Sequence, residues 1–267
     1  MIEILIPTYN RSEHLVKNIQ HIDNLVKDEK LDGEYRILIS DNASTDDTLS
    51  ALDAVKSQVN IEFMVFRQTE NLGLEKNAVF TLEQATSEYV IFLGDDDFLP
   101  QGYLTELHIV EQAKKYGVVI PGFSSLFPDG EVKPSRHDMK GRYHKAGFRA
   151  LADFSNFGHQ LSGLFFKREG VVEAYKADAK NRNIYPFIFF IGFIMQRYPA
   201  AYKPDFQVLV SQGNSKDWGY DDSGLLTEIF KNYRASLLQK TSANSGQLFA
   251  KQVSSHFLSK NPLHSDL

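Results

Sequence analysis

The sequence predicts an α/β fold: a mostly parallel sheet flanked by helices, with a helical appendage at the C-terminus. Three observations predict it. Over the first hundred residues, short unbroken apolar runs alternate with apolar residues at helical spacing. Each apolar run stops at a polar cluster, as strands feeding right-handed crossovers do. Beyond Pro100 the alternation loosens, and residues 222–267 read as helical and then polar.

The elements follow in order. Glu3-Ile4-Leu5-Ile6 reads as a buried strand ended by Pro7, and Leu15, Ile19, Ile22 and Val26 mark a helix with Ser12 as its expected N-cap. Tyr35 to Ser40 is the second strand, and Ser44-Thr45-Asp46-Asp47 matches a capping box ahead of Leu49, Leu52 and Val55. Ile61 to Phe66 is the third strand, Leu74 to Ala85 the third helix, and Tyr89 to Leu93 a fourth strand that runs into Asp95-Asp96-Asp97. Further on, a helix is expected over Tyr103 to Tyr116 and a strand over Val118 to Pro121. Pro128-Asp129-Gly130 has hairpin-turn chemistry. Leu164 to Lys167 reads as a strand, and Val171 to Ala177 and Phe187 to Arg197 as helices. The expected organisation is one domain over 1–221, with a ligand-binding half (1–100) and a second half (101–221), followed by a C-terminal helical extension over 222–267.

Composition narrows the function. A net charge of −5 gives no general field for nucleic acid, although a local basic patch can still meet an anionic headgroup. With no cysteine there are neither disulfides nor thiolate metal sites. The eight histidines show no paired ligand spacing, so a histidine zinc site is not expected. The most apolar segment, Phe187 to Met195, falls well short of the ~20 residues that span a bilayer and reads as a core helix. No signal peptide is expected ahead of the first strand. A cytoplasmic protein is expected, with peripheral contact at the inner face of the membrane as an option.

In an open parallel sheet, ligands bind outside the carboxyl ends of the strands. That rule selects Pro7-Thr8-Tyr9-Asn10-Arg11, Asp41-Asn42-Ala43-Ser44, Asn71-Leu72-Gly73 and Asp95-Asp96-Asp97, all on one edge. Three consecutive carboxylates repel one another, so something should offset their charge. Asp95 and Asp97 alternate onto one side, and such a pair suits a hard cation such as Mg²⁺ or Mn²⁺. Asp41 can accept from a pyrimidine N–H or a ribose hydroxyl, and Asp-Asn-Ala-Ser is equally ordinary turn composition. Thr8 and Tyr9 can pack on a base, and Arg11 and Lys76 can meet a diphosphate.

These motifs resemble the opening of family 2 glycosyltransferases. The resemblance is carried by Ile4 to Arg11, Asp41 to Thr48, Asn71-Leu72-Gly73 with Lys76-Asn77, and Phe92 to Asp97, in order over about 100 residues. It implies a GT-A, Rossmann-like fold and a nucleoside-diphosphate sugar donor, with UDP as the default and dTDP next. It also implies Mn²⁺ or Mg²⁺, inversion at the anomeric carbon, and a glycan or lipid-linked acceptor in bacterial surface-polysaccharide assembly. By this match Pro7, Thr8, Tyr9 and Asp41 would hold the nucleoside, Asp95 and Asp96 would lie near ribose and sugar, and Asp97 would bind the metal, with Asp95 as a second ligand.

The chain also departs from that pattern. Asn42 stands where a second aspartate is common, and Lys76 where an arginine is. Inverting transfer needs a base for the acceptor hydroxyl, which the family usually supplies from an acidic motif at a late helix start. The corresponding stretch here, Asn183 to Ile188, has no carboxylate. Asp178, Asp153 and His159 are the remaining candidates. Gln212 to Gly219 holds the only tryptophan, Trp218, and reads equally as a lid over donor or acceptor or as an ordinary surface loop anchored by Trp218. A nucleotidyltransferase or NAD-dependent dehydrogenase would need glycines after the first strand, and Pro7 to Arg11 contains none. The missing late carboxylate leaves a non-catalytic nucleotide- or glycan-binding module of the same fold as the alternative.

Overall fold

The computed structural model describes residues 1–134, 140–179, 182 and 185–213. Its strands are β1 (Ile2–Thr8), β2 (Tyr35–Asp41), β3 (Phe63–Arg67), β4 (Tyr89–Phe92), β5 (Val118–Leu126), β6 (Val132–Pro134), β7 (Arg142–His144), β8 (Leu164–Lys167) and β9 (Ala200–Ser211). The helices are α1 (Ser12–Asp28), α2 (Thr48–Val55), α3 (Leu74–Gln84), α4 (Tyr103–Gln112), α5 (Phe148–Phe154), α6 (Val171–Lys176) and α7 (Pro186–Met195), with a 3-10 turn at Ser155–His159. The expected C-terminal extension (222–267) and Trp218 lie outside the described residues.

One sheet runs in the order β3-β2-β1-β4-β8-β5-β9-β7, with β6 paired to β5. β1 to β4 are parallel, as the alternation of periods requires. Beyond them the sheet is mixed: β8 is antiparallel to both β4 and β5, and β9 is parallel to β5. Two antiparallel steps restore the direction, so β5 and β9 end on the same edge as β1 and β4. The Pro128-Asp129-Gly130 turn does join an antiparallel pair, β5 and β6. β9 is not among the elements expected from sequence. Its register shifts between Pro121 and Gly122, pairing with Lys203 and then Gln207, so Pro204 to Phe206 bulge out and break the alternation.

The period of two along β1 divides the core. Ile4 and Ile6 face Leu15, Ile19 and Ile22 of α1, whereas Leu5 faces Ala78 and Leu82 of α3 on the other side. Every residue of α7 is buried, which confirms it as a core helix; each such Phe or Ile contributes roughly 1.5–3 kcal/mol. Two helix starts differ from expectation. α1 begins at Ser12 itself without a side-chain cap, and the capping box before α2 does not form. Instead the Asp46 carboxylate accepts from the Thr48 backbone N–H (3.0 Å) and the Thr48 hydroxyl, a local turn that outcompetes the longer reach. Among the described residues no helix is long and apolar enough to cross a membrane.

Candidate active site

The carboxyl ends of β1 and β4 open into a cavity of about 390 Å³, within the usual size range for small-molecule sites. Its wall includes Pro7, Thr8, Tyr9 and Arg11 from one loop and Asp95, Asp96 and Asp97 from the other. His159, Tyr185 and Phe187 close it from the second half of the chain. Of the other residues singled out from sequence, Asp41, Lys76, Asp153 and Asp178 are not on that wall. Lys76 and Asp178 are exposed, and Asp153 is engaged elsewhere, 2.9 Å from His144 and 3.4 Å from Arg142. His159 is thus the one candidate base that reaches the cavity.

The aspartate loop is held from three directions. Buried Asn18 on α1 donates to the carbonyls of Gly94 and Asp97, both at 2.8 Å. Ser162, just before β8, accepts from the Gly94 N–H (2.9 Å) and donates to Asp97 Oδ2. From the end of β9, the Ser211 N–H donates to Asp97 Oδ1 (2.9 Å) and its hydroxyl donates to the Asp96 carbonyl. Gly94 is required for space, since a Cβ there would lie 2.8 Å from Asp97 Oδ2 and 3.1 Å from Ser162 Oγ. Gln160 Nε2 lies 3.5 Å from the same Asp97 oxygen.

Charge is the notable property of this rim. Asp95 accepts from the Thr8 hydroxyl at 2.7 Å, yet its pKa is pushed up to about 7. Burial is the largest cause and the Asp96 charge the next, with Asp97 adding to them. The Thr8 hydrogen bond and the Arg11 guanidinium oppose the rise without cancelling it. A donor set of adjacent carboxylates whose mutual repulsion is under-compensated fits a hard divalent cation. Among the described residues no group of three His, Cys, Asp or Glu forms a complete cage.

Asp41 is fully buried beneath the neighbouring loop. Oδ1 accepts from the Ser44 N–H (3.1 Å), fixing the turn in which Ala43 has φ 62°. Oδ2 is 3.8 Å from Arg67 Nε and makes no hydrogen bond. Asn42 explains its own departure from the resembled pattern. Its amide donates to Asn71 Oδ1 (2.8 Å) and accepts from the Leu72 N–H (2.8 Å), tying the second loop to the third. A carboxylate could not make the first of these bonds. Asn77, at the cavity, similarly bonds Ser40 through both ends of its amide (2.6 and 3.0 Å).

Sequence reading missed Asn18, Ser162, Gln160 and Ser211. Asn18 did carry a signal, a polar residue inside the apolar stripe of α1 (Leu15, Ile19, Ile22). The other three lie in stretches with no readable period.

Fold and cavity together define an α/β protein of GT-A type, with a cavity at the carboxyl ends of parallel strands. The chain belongs to Glycosyl transferase family 2, whose sequence model it matches over residues 3–173. It is 36% identical over 107 residues to abequosyltransferase RfbV of Salmonella typhimurium, a match covering 40% of this chain and 31% of that protein. It is 24% identical over 263 residues to poly(ribitol-phosphate) beta-N-acetylglucosaminyltransferase TarP of Staphylococcus aureus, covering 94% and 77%. Among solved structures, S. aureus TarS 1-349 in complex with UDP-GlcNAc superposes with a TM-score of 0.69 at 14% identity, over 96% of this chain and 71% of that one. The mannosyltransferase PcManGT from Pyrobaculum calidifontis, in complex with GDP-Man and Mn²⁺, gives 0.58 at 16% identity, over 100% and 76%. At these identities the structural matches establish the fold. The sequence match to RfbV spans about a third of that protein's length.

Proposed function

We propose that this chain transfers a sugar from a nucleoside-diphosphate sugar, a UDP-sugar by preference, to a hydroxyl of a glycan or lipid-linked acceptor, with inversion, in polysaccharide assembly. One observation carries the reading: three adjacent carboxylates, Asp95 to Asp97, share a cavity with Arg11 and the Pro7-Thr8-Tyr9 strand end, and burial with the Asp96 charge pushes the Asp95 pKa up to about 7. Residues 1–100 supply the donor side and the later residues the acceptor side. Pro7, Thr8 and Tyr9 pack on the nucleoside. Asp41, one layer behind the wall, acts on the nucleoside side by fixing the turn at Ser44 through Oδ1 and facing Arg67 through Oδ2. Arg11 and Lys76 meet the diphosphate, and Asp95 and Asp96 approach ribose and sugar. Asp97, with Asp95 beside it, holds Mn²⁺ or Mg²⁺, which when bound offsets charge on the departing diphosphate. The hydrogen bonds from Ser162 and Ser211 keep the Asp97 carboxylate in one orientation.

His159 is assigned the acceptor proton. Beyond the three aspartates it is the group among the named cavity residues best suited to take one at neutral pH. His159→Gln is expected to lower kcat by about 10²-fold or more, with the donor Kd unchanged. Among the described residues the cavity wall carries no carboxylate besides Asp95, Asp96 and Asp97, which favours a second reading, a module that binds donor without transferring it. Labelled UDP-sugars with Mn²⁺ and an acceptor panel separate the two. Turnover supports transfer, and donor binding without turnover supports the module. We propose a cytoplasmic location, with peripheral contact at the inner face of the membrane as the alternative.

A further inference from the structure

Asn18 stands where the buried stripe of α1 should be apolar. It lies between Leu15 and Ile19, with Ile22 one turn on, and it is fully buried. Both hydrogens of its amide are used, on the carbonyls of Gly94 and Asp97 at 2.8 Å each. Its own oxygen, Oδ1, has no hydrogen-bond partner among the described residues. A buried acceptor left without a donor costs stability. A leucine here would continue the stripe without that cost, so the two bonds the amide does make ask for a use beyond packing.

Those bonds fix a turn. The Asp97 N–H donates back to the Gly94 carbonyl (3.3 Å), so residues 94–97 form one turn whose first and last carbonyls end on a single planar amide. With these carbonyls drawn onto α1, Asp95, Asp96 and Asp97 line the cavity. Adjacent carboxylates repel, and an unrestrained turn would relax by swinging them apart. A clamp on both ends of the turn opposes that. His21, one turn along α1, extends the grip: its Nε2 donates to the Leu99 carbonyl (2.7 Å) and its ring stands edge-on to Phe98. At its other end, α1 starts directly after Arg11, whose carbonyl accepts from the Leu15 N–H (2.9 Å). One helix therefore carries the Arg11 cation at its start and the carboxylate turn about two turns on.

From this geometry we infer that Asn18 is a positioning residue for cation and diphosphate. It lines no part of the cavity wall, and acts by holding the aspartate turn at a set spacing from Arg11. The inference rests on the donor reading above for its purpose, whereas the clamp itself does not.

Asn18→Leu fills the space without donors and Asn18→Ala empties it, and either variant that folds serves. Asp23→Ala is the matched control. Asp23 lies in the same buried stripe and accepts from the Asn60 and Ile61 N–H groups (2.8 and 2.7 Å), so it too loses two bonds to backbone, but away from the cavity. Two readouts are expected to move in the Asn18 variants and not in the control. Without ligand, hydrogen exchange at the Asp97 amide, whose bond closes the turn, should quicken at least about tenfold. In calorimetric titration below each variant's melting range, UDP with Mn²⁺ should bind at least about tenfold more weakly. With the metal chelated, UDP affinity should stay at the wild-type value. Unchanged exchange, unchanged affinity with Mn²⁺, an equal loss in both conditions, or the same losses in Asp23→Ala would overturn the inference. So would failure of both Asn18 variants to fold, which would make Asn18 an architectural residue. Should the wild-type protein bind no UDP in either condition, the donor reading fails, and the exchange result still decides the clamp.

Discussion

The two ends of the same sheet treat buried carboxylates in opposite ways. At the amino end of β1, Glu3 is fully buried and saturated. It accepts from the Arg36 guanidinium (Nε at 2.9 Å), from the Thr86 and Ser87 backbone N–H groups (both 2.8 Å) and from the Thr86 hydroxyl. At the carboxyl ends, Asp95, Asp96 and Asp97 crowd one loop, and at Asp95 burial and the Asp96 charge outweigh Thr8 and Arg11, so its pKa rises to about 7. Asp41 nearby keeps one oxygen without a hydrogen bond. A compensated buried charge serves architecture, because the fold itself supplies its partners. An under-compensated set leaves electrostatic work for a ligand, and that is where function is expected.

The contrast predicts a reciprocal pair of effects. Asp97→Asn should lower transferase activity on the order of 10³-fold, the size of losing several kcal/mol of transition-state charge stabilisation. Its melting temperature should change little, since an amide can still meet Ser162 and the Ser211 N–H. Glu3→Ala should do the reverse. Removing one member of a buried, hydrogen-bonded ion pair costs about 3 kcal/mol, a Tm fall of roughly 6–12 °C, while kcat of the folded fraction stays at the wild-type value. A kcat loss in Glu3→Ala, or a stability loss in Asp97→Asn as large as in Glu3→Ala, would break the division. A smaller change sharpens it: Asn42→Asp restores the resembled pair of acids but loses the donor to Asn71 and places a charge beside Asp41. It should cost about 1 kcal/mol in thermal melts and weaken donor binding modestly.

The same comparison shows what could be read without coordinates. β1 to β4 and the cavity's first-half residues were legible because each strand is a local apolar run with a polar stop. Their parallel crossovers then bring Pro7 to Arg11 and Asp95 to Asp97 to one edge. The family resemblance and the GT-A fold followed from those stops. The second half resisted because its order is non-local. β9 is interrupted by Pro204 and Asp205, and it becomes a strand by pairing with β5 across a bulge and with β7 at its start. Ser162 and Ser211 become site residues only through that pairing. Asp153 drew notice as an acid near the right place, but it is committed to Arg142 and His144. Asp41 was rightly placed at a strand end, the last residue of β2, but its burial behind the cavity wall is a tertiary feature that no local pattern announces.

Calorimetric titration of UDP into the protein, with Mn²⁺ and then with the metal chelated, tests the central claim most directly when run on wild type and Asp97→Asn. The account predicts binding that depends on the cation in the wild-type protein and is more than about tenfold weaker in the variant, a loss of roughly 1.4 kcal/mol or more. Equal UDP affinity in all four conditions would contradict it, because the carboxylate rim would then have no part in holding the diphosphate.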